Sequence, residues 1–124
     1  MELDIIEVRV GNYFAHKGQV KEIEQADLAS IDTLITEIKP IPITIIRLKR
    51  LNFLQETGAS GLIYTNFFNK IMFTFHRVKE DKLLLIINDD LRLKHIEFIH
   101  QLQNVYYDLT GDILKRPEPK INLQ

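Results

Sequence analysis

Apolar residues recur at helical spacing near the C-terminal end of the chain. Phe98, Ile99, Leu102, Val105, Tyr106 and Leu109 follow one another at steps of one and three, so each has an apolar neighbour three or four positions away. That spacing lays a broad apolar stripe along one side of an α-helix. Gly111 stands where a left-handed residue ends a helix, so the pattern predicts a long amphipathic helix over Phe98–Gly111. Upstream the period changes to two. Ile71, Phe73 and Phe75 alternate with Met72, Thr74 and His76, which predicts a strand with one heavily apolar face. Leu62–Thr65 and Leu83–Asn88 read as neighbouring strands, with Gly58–Gly61 as a turn before them and Lys79–Lys82 as a charged hairpin loop. Asp89-Asp90 is a second turn, after which Leu91–Leu93 returns as a further strand.

The N-terminal half is built from shorter runs. Val8–Val10 and Tyr13–Ala15 flank Gly11-Asn12, a turn or bulge signal, and Lys17-Gly18 sets off a strand over Gln19–Ile23. Ala26–Ile38 is ambiguous: Leu28, Ile31, Ile35 and Ile38 fit a helical stripe, while its Ile and Thr content suits strands. Strands around an Asp32-Thr33 turn are the expectation taken forward. Pro40 and Pro42 impose an extended stretch, and Thr44 is a good N-cap for a short helix over Ile45–Leu51. Asn52 tolerates the left-handed conformation that closes it, and Phe53 packs after it. Antiparallel strands joined by short loops, with helices to one side, define an α+β domain over residues 1–114. Residues 115–124, with Pro117 and Pro119, read as a flexible tail.

Composition narrows the function classes. The chain has 124 residues, enough for one domain with a real core. Its formal net charge of −1 supplies no field to steer a polyanion or an anionic membrane. Cysteine is absent, which excludes disulfides, thiolate catalysis and cysteine metal sites. The N-terminus MELDIIEVRV lacks the pattern of a secretory signal, and the longest purely aliphatic run, Leu83–Ile87, is too short for a bilayer. A cytoplasmic setting is the expectation.

One stretch departs from that composition. Between Glu97 and Asp108 there is no charged residue, although 27% of the chain is charged and about three charges would be expected there. His100, Gln103, Asn104 and Tyr107 lie at i, i+3, i+4 and i+7 and form one continuous polar strip on the predicted helix. Amides, imidazole and phenol suit a site partly closed to water, where a charge is costly and a paired polar group is not. Two arrangements supply such a site. The strip can hydrogen-bond to backbone of the N-terminal module, which is the favoured arrangement, or it can meet a partner or a second copy.

The run His100–Leu114, HQLQNVYYDLTGDIL, also resembles the hallmark of small proteins common in Bacteroidetes genomes and their phages or mobile elements, where the usual form is close to HQLQNLYFALTGEEL. Arg9–Tyr13, RVGNY, is similar to that family's R-[IV]-G-N-[LY], and Lys39–Thr44, KPIPIT, to its K-P-I-P-L-T. The three motifs occur in the family's order, and Asn52 replaces its usual Gly. The resemblance implies a small SH3-like β-module at the N-terminus, favours strands over Ala26–Ile38, and brings no catalytic residues with it.

Candidate chemistry is sparse. His95 and His100 are five apart, so they do not form an i, i+4 metal pair. Glu80-Asp81 and Asp89-Asp90 are paired carboxylates, but both sit in strand connections where backbone reasons explain them better. Ser30 and Ser60 stand outside any nucleophile-elbow pattern. Gly58–Gly61, GASG, has the form of a GxxG loop without flanking basic residues, and a plain turn is the stronger reading. Arg47, Lys49 and Arg50, with Lys39 nearby, are the best basic cluster and a weak nucleic-acid candidate. Phe67 and Phe68 cannot both face a core from one strand, so one of them is a candidate interaction anchor. The expected function is a non-enzymatic binding or adaptor module without cofactor or metal. Its expected partner is a protein or a second copy rather than nucleic acid or membrane. The alternatives are a nucleic-acid-binding accessory protein and a small enzyme.

Overall fold

The computed structural model describes residues 3, 5–58, 61–68, 71–79, 82–93 and 95–116. Two antiparallel sheets carry the architecture, and the chain is α+β. After a one-turn 3₁₀ helix at Ile5–Glu7, β1 (Tyr13–His16) and β2 (Gln19–Glu22) form a hairpin, with β3 (Ile38–Lys39) on the other side of β1. Lys17 and Gly18 have φ of 51° and 77°, the paired positive values of a two-residue hairpin turn. Val8–Val10 enters no strand: Val8 is buried, and Asn12 Oδ1 accepts the Arg9 N–H at 2.8 Å to close a turn.

Between β2 and β3 lie two one-turn helices, α1 (Gln25–Leu28) and α2 (Ile31–Leu34). This corrects the strand expectation for Ala26–Ile38. The three-to-four spacing of Leu28, Ile31, Leu34 and Ile35 carries them into a small core with Val8, Phe14, Ile23 and Ile38. Burial of that stripe outweighs the β-propensity of Ile and Thr. Asp27 Oδ2 accepts the Glu24 N–H at 2.8 Å and caps α1, and the Ser30 backbone leaves the helical region and separates the two turns. Three strands and two helical turns therefore occupy the place of the expected β-module.

A second core lies against the five-stranded sheet, in the order β4 (Leu54–Gly58), β5 (Gly61–Phe68), β6 (Ile71–Lys79), β7 (Lys82–Ile87), β8 (Leu91–Leu93). Its inner face buries Tyr64, Phe73, Phe75, Leu85 and Ile87. Strand β4 has no apolar alternation, and Leu54 is exposed. Its pairing with β5, not burial, makes it a strand. The turn after β7 holds Asn88 and Asp89 at φ of 51° and 63°, a conformation that Asn and Asp tolerate. The Asp89-Asp90 pair thus serves the backbone. Glu80-Asp81 and the centre of Gly58–Gly61 lie outside the described residues.

Helix α3 (Ile45–Arg50) starts as expected: Thr44 Oγ1 accepts the Arg47 N–H at 3.3 Å. Asn52 follows with φ of 68°. Helix α4 (Ile99–Thr110) packs on the five-stranded sheet through Leu102, which is fully buried, and Tyr106, whose ring lies 4.8 Å from that of Phe73. Gln101 Oε1 accepts the N–H groups of Glu97 and Phe98, at 2.9 and 3.1 Å, and caps the helix start. The extended segment before α3 docks beside it, where the Ile99 N–H donates to the Ile41 carbonyl at 2.8 Å. Among the described residues no helix is long and apolar enough to cross a membrane.

Gly111 ends α4 with φ of 77°, and its N–H donates to the Tyr107 carbonyl at 2.8 Å. A Cβ there would meet nothing within 4 Å, so the cost of a side chain is purely conformational. Gly111→Ala should therefore lower stability by about 1 kcal/mol, read as a lower denaturation midpoint with an unchanged slope. Lys115 and Arg116, expected in the tail, are instead tied to the N-terminal hairpin. Lys115 Nζ lies 3.0 Å from Glu22 Oε2, and the Arg116 N–H donates to Tyr13 Oη at 3.1 Å. Residues 117–124 of the expected tail lie outside the described residues.

Candidate functional site

The uncharged strip of α4 faces the turn that leads into β1. Gln103 is 1% exposed and its amide is fully used. Oε1 accepts the Tyr13 N–H at 2.8 Å, while Nε2 donates to the carbonyls of Gly11 and Leu114 at 3.0 and 2.8 Å. Asn104 continues the contact one position on. Its Nδ2 donates to the Glu7 carbonyl at 2.9 Å, and its Oδ1 accepts from Asn12 Nδ2 at 2.9 Å. The favoured arrangement is found: these two amides lock the helix to the N-terminal segment and are spent within the chain. The turn must come close to do this. Gly11 has φ of 90°, and a Cβ there would sit 2.8 Å from Ile113 Cγ2.

His100 and Tyr107 behave differently. His100 is fully buried, and neither ring nitrogen has a hydrogen-bond partner among the described residues. Among the described residues, His100 does not make the backbone hydrogen bond expected of the strip. Instead its ring lies 4.8 Å from that of Phe14 and 6.1 Å from that of Phe98. The helix points His100 at Phe14 of β1 rather than at free backbone groups. Burial pushes its pKa below the ordinary 6.5, against a weaker opposing pull from Glu7. Tyr107 is 47% exposed. It lies one turn past Gln103 and lines a cavity with Arg9, Val10 and Asn12 of the turn before β1. Beside it Arg9 and Asp108 form an exposed ion pair at 2.8 Å.

The neutral state of His100 has a consequence for stability. With a folded pKa below the unfolded one, the unfolded chain binds the extra proton between the two values. Stability is then full above about pH 6.5 and falls as pH drops from there toward the folded pKa. The loss should approach, and not exceed, about 1.4 kcal/mol per pH unit. Denaturation midpoints at pH 7.5 and 5.5 should diverge more for the native chain than for His100→Phe. Equal divergence would mean that His100 titrates freely in the folded protein.

The remaining sequence candidates fall on other surfaces. Phe67 is 67% exposed and Leu54 71%. Leu54 pairs with Thr65, and Phe67 is two residues further along β5, so all three share the outer face of the sheet. Phe68 pairs with Ile71 at the end of β5, and its side chain lies outside the described residues. Near the rim formed by Leu54 and Phe67 runs a groove of about 600 Å³ between the sheet and the segment after α4, where Asn66, Tyr106, Ile113 and Leu114 also line it. Burial, aided by Asp112, pushes the Tyr106 phenol up. The groove was not legible in the sequence, because its walls come from β4, β5 and the residues past Gly111.

Arg47 and Arg50 line a small pocket on α3, while Lys49 is exposed and does not line it. Arg116, from the far end of the chain, joins them there. Among the described residues no group of three His, Asp or Glu side chains is placed to hold a metal ion. Comparison of the chain with protein-family models, with curated proteins and with solved structures finds no match.

Proposed function

We propose that the protein is a non-enzymatic binding or adaptor module that engages a protein partner through the rim of its five-stranded sheet. The single observation that carries this reading is the pair Leu54 and Phe67, 71% and 67% exposed on one face beside the groove of about 600 Å³. Large apolar side chains held on a rigid sheet are suitable anchors, since aromatic residues concentrate at interfaces and dominate their energetics. The groove's described walls carry no histidine or serine to pair with Asp112 as nucleophile or base, which favours binding over turnover. The motifs Arg9–Tyr13, Lys39–Thr44 and His100–Leu114 support placing the chain with the Bacteroidetes and mobile-element proteins, and with it an SH3-like reading of the N-terminal module; the sequence expectation of a cytoplasmic setting is kept.

The test is recovery of a partner from the native host with the full chain as bait, next to Leu54→Asp and Phe67→Asp. Both positions are exposed, so the variants should keep the native denaturation midpoint and lose the partner. A partner retained equally by both variants would sink the reading. So would turnover of a small-molecule substrate abolished by one groove substitution.

A further inference from the structure

The small pocket on α3 has a composition that the sheet rim does not explain. Arg47 and Arg50 are one turn apart on α3 and share a face. Arg116 arrives from the segment after α4, and all three line a pocket of about 40 Å³ whose walls include Tyr13, Ile41 and Ile99. Among the described residues no acidic side chain lines it. Among the described residues the ion pairs are Arg9–Asp108, His16–Glu37, Lys21–Asp27 and Lys115–Glu22, and none involves these arginines. Supply is not the reason, because the chain has 17 acidic residues for 16 basic ones.

Two of the three are held in place. Arg47 Nη1 donates to the Pro42 carbonyl at 3.0 Å. The Arg116 guanidinium lies 5.4 Å from the centre of the Tyr13 ring, and the Arg116 backbone N–H donates to Tyr13 Oη. That anchorage is itself secured by Gln103, which bonds both the Tyr13 N–H and the Leu114 carbonyl. Each guanidinium has five donors, so most remain free. Three like charges gathered on one pocket repel one another. An anion in the pocket would remove that repulsion and take up the free donors. Planar guanidinium forks match the oxygens of phosphate in particular.

We infer that this pocket binds a phosphate group, gripped by Arg47, Arg50 and Arg116. Its charge decides which kind. Three guanidinium groups suit the dianion of a monoester. A nucleic-acid backbone presents diester phosphates in series and needs a basic track to follow them. Here Lys49 lies off the pocket and the net charge is −1.

The test titrates inorganic phosphate and O-phosphoserine into the full chain at low salt, following arginine side-chain N–H resonances and the heat of binding. Saturable binding of both is expected, with acetate at least ten-fold weaker. Arg50→Gln and Arg116→Gln should each weaken phosphate at least ten-fold. Arg50→Lys, which keeps the charge and loses the fork, should fall between native and Arg50→Gln. Arg50 is exposed, so its variants report on binding without a folding defect. No saturation at millimolar phosphate would overturn the inference, as would acetate binding equally well. An oligonucleotide without a terminal phosphate binding as tightly as phosphoserine would overturn it too, in favour of diester recognition.

Discussion

Gln103→Ala should be among the most damaging single substitutions in this protein, costing roughly 3–5 kcal/mol. The side chain is 1% exposed and satisfies three backbone groups at once: the Tyr13 N–H and the Gly11 and Leu114 carbonyls. Alanine leaves those groups buried without partners, and each orphan costs about 1–3 kcal/mol, less than additively. The packing of Arg116 on Tyr13 should loosen with them, since Leu114 is the anchor just upstream. Gln103→Glu should be no milder near neutral pH. Its carboxylate still accepts from Tyr13 but sets a charge against two carbonyl oxygens in a site closed to water. Chemical denaturation of both variants checks this. A loss below about 1 kcal/mol for Gln103→Ala would mean that water replaces the amide at little cost.

The second large effect is expected at Leu102. It is fully buried at the centre of the α4 stripe and packs in the core with Phe73, Tyr106 and Ile87. Leu102→Ala removes that contact and leaves a cavity, for roughly 2–5 kcal/mol. Set against a typical total of about 5–15 kcal/mol, this brings the chain near its unfolding limit. The double variant with Gln103→Ala should have no folded state at 37 °C. The two residues are adjacent in sequence yet act on different bodies, Leu102 on the five-stranded sheet and Gln103 on the N-terminal turn. A Leu102→Ala midpoint within 0.5 kcal/mol of native would place the stripe in solvent and contradict the packing.

Much of this architecture is legible in the sequence. The α4 stripe, its Gly111 terminus, the Thr44 cap and the strands around Phe73 and Phe75 follow from local rules: period, capping and turn chemistry. The missing charges between Glu97 and Asp108 announced a covered polar face, and Gln103 and Asn104 occupy one. Failures came where local signals compete or are absent. Over Ala26–Ile38, β-branched content and helical spacing pointed opposite ways. The small core around Phe14 and Ile23 settled the matter, and no local rule could weigh it. Strand β4 has no alternation to detect, since its neighbour holds it rather than a core. His100 was grouped with the hydrogen-bonding strip because sequence separates it from Phe14 by 86 residues.

The residues by themselves determined the class of fold, the polarity of each face of α4 and the absence of cysteine chemistry. These depend on side-chain type and on spacings shorter than a helical turn or a strand pair. The tertiary structure alone decided what those faces meet. It brought Gly11, Gln103 and Leu114 within one hydrogen-bonding cluster, set Leu54 and Phe67 on one exposed face, and carried Arg116 to Arg47 and Arg50. Each of these juxtapositions joins segments distant in the chain. Closing such loops costs entropy that only the assembled core offsets, and no local pattern records the outcome.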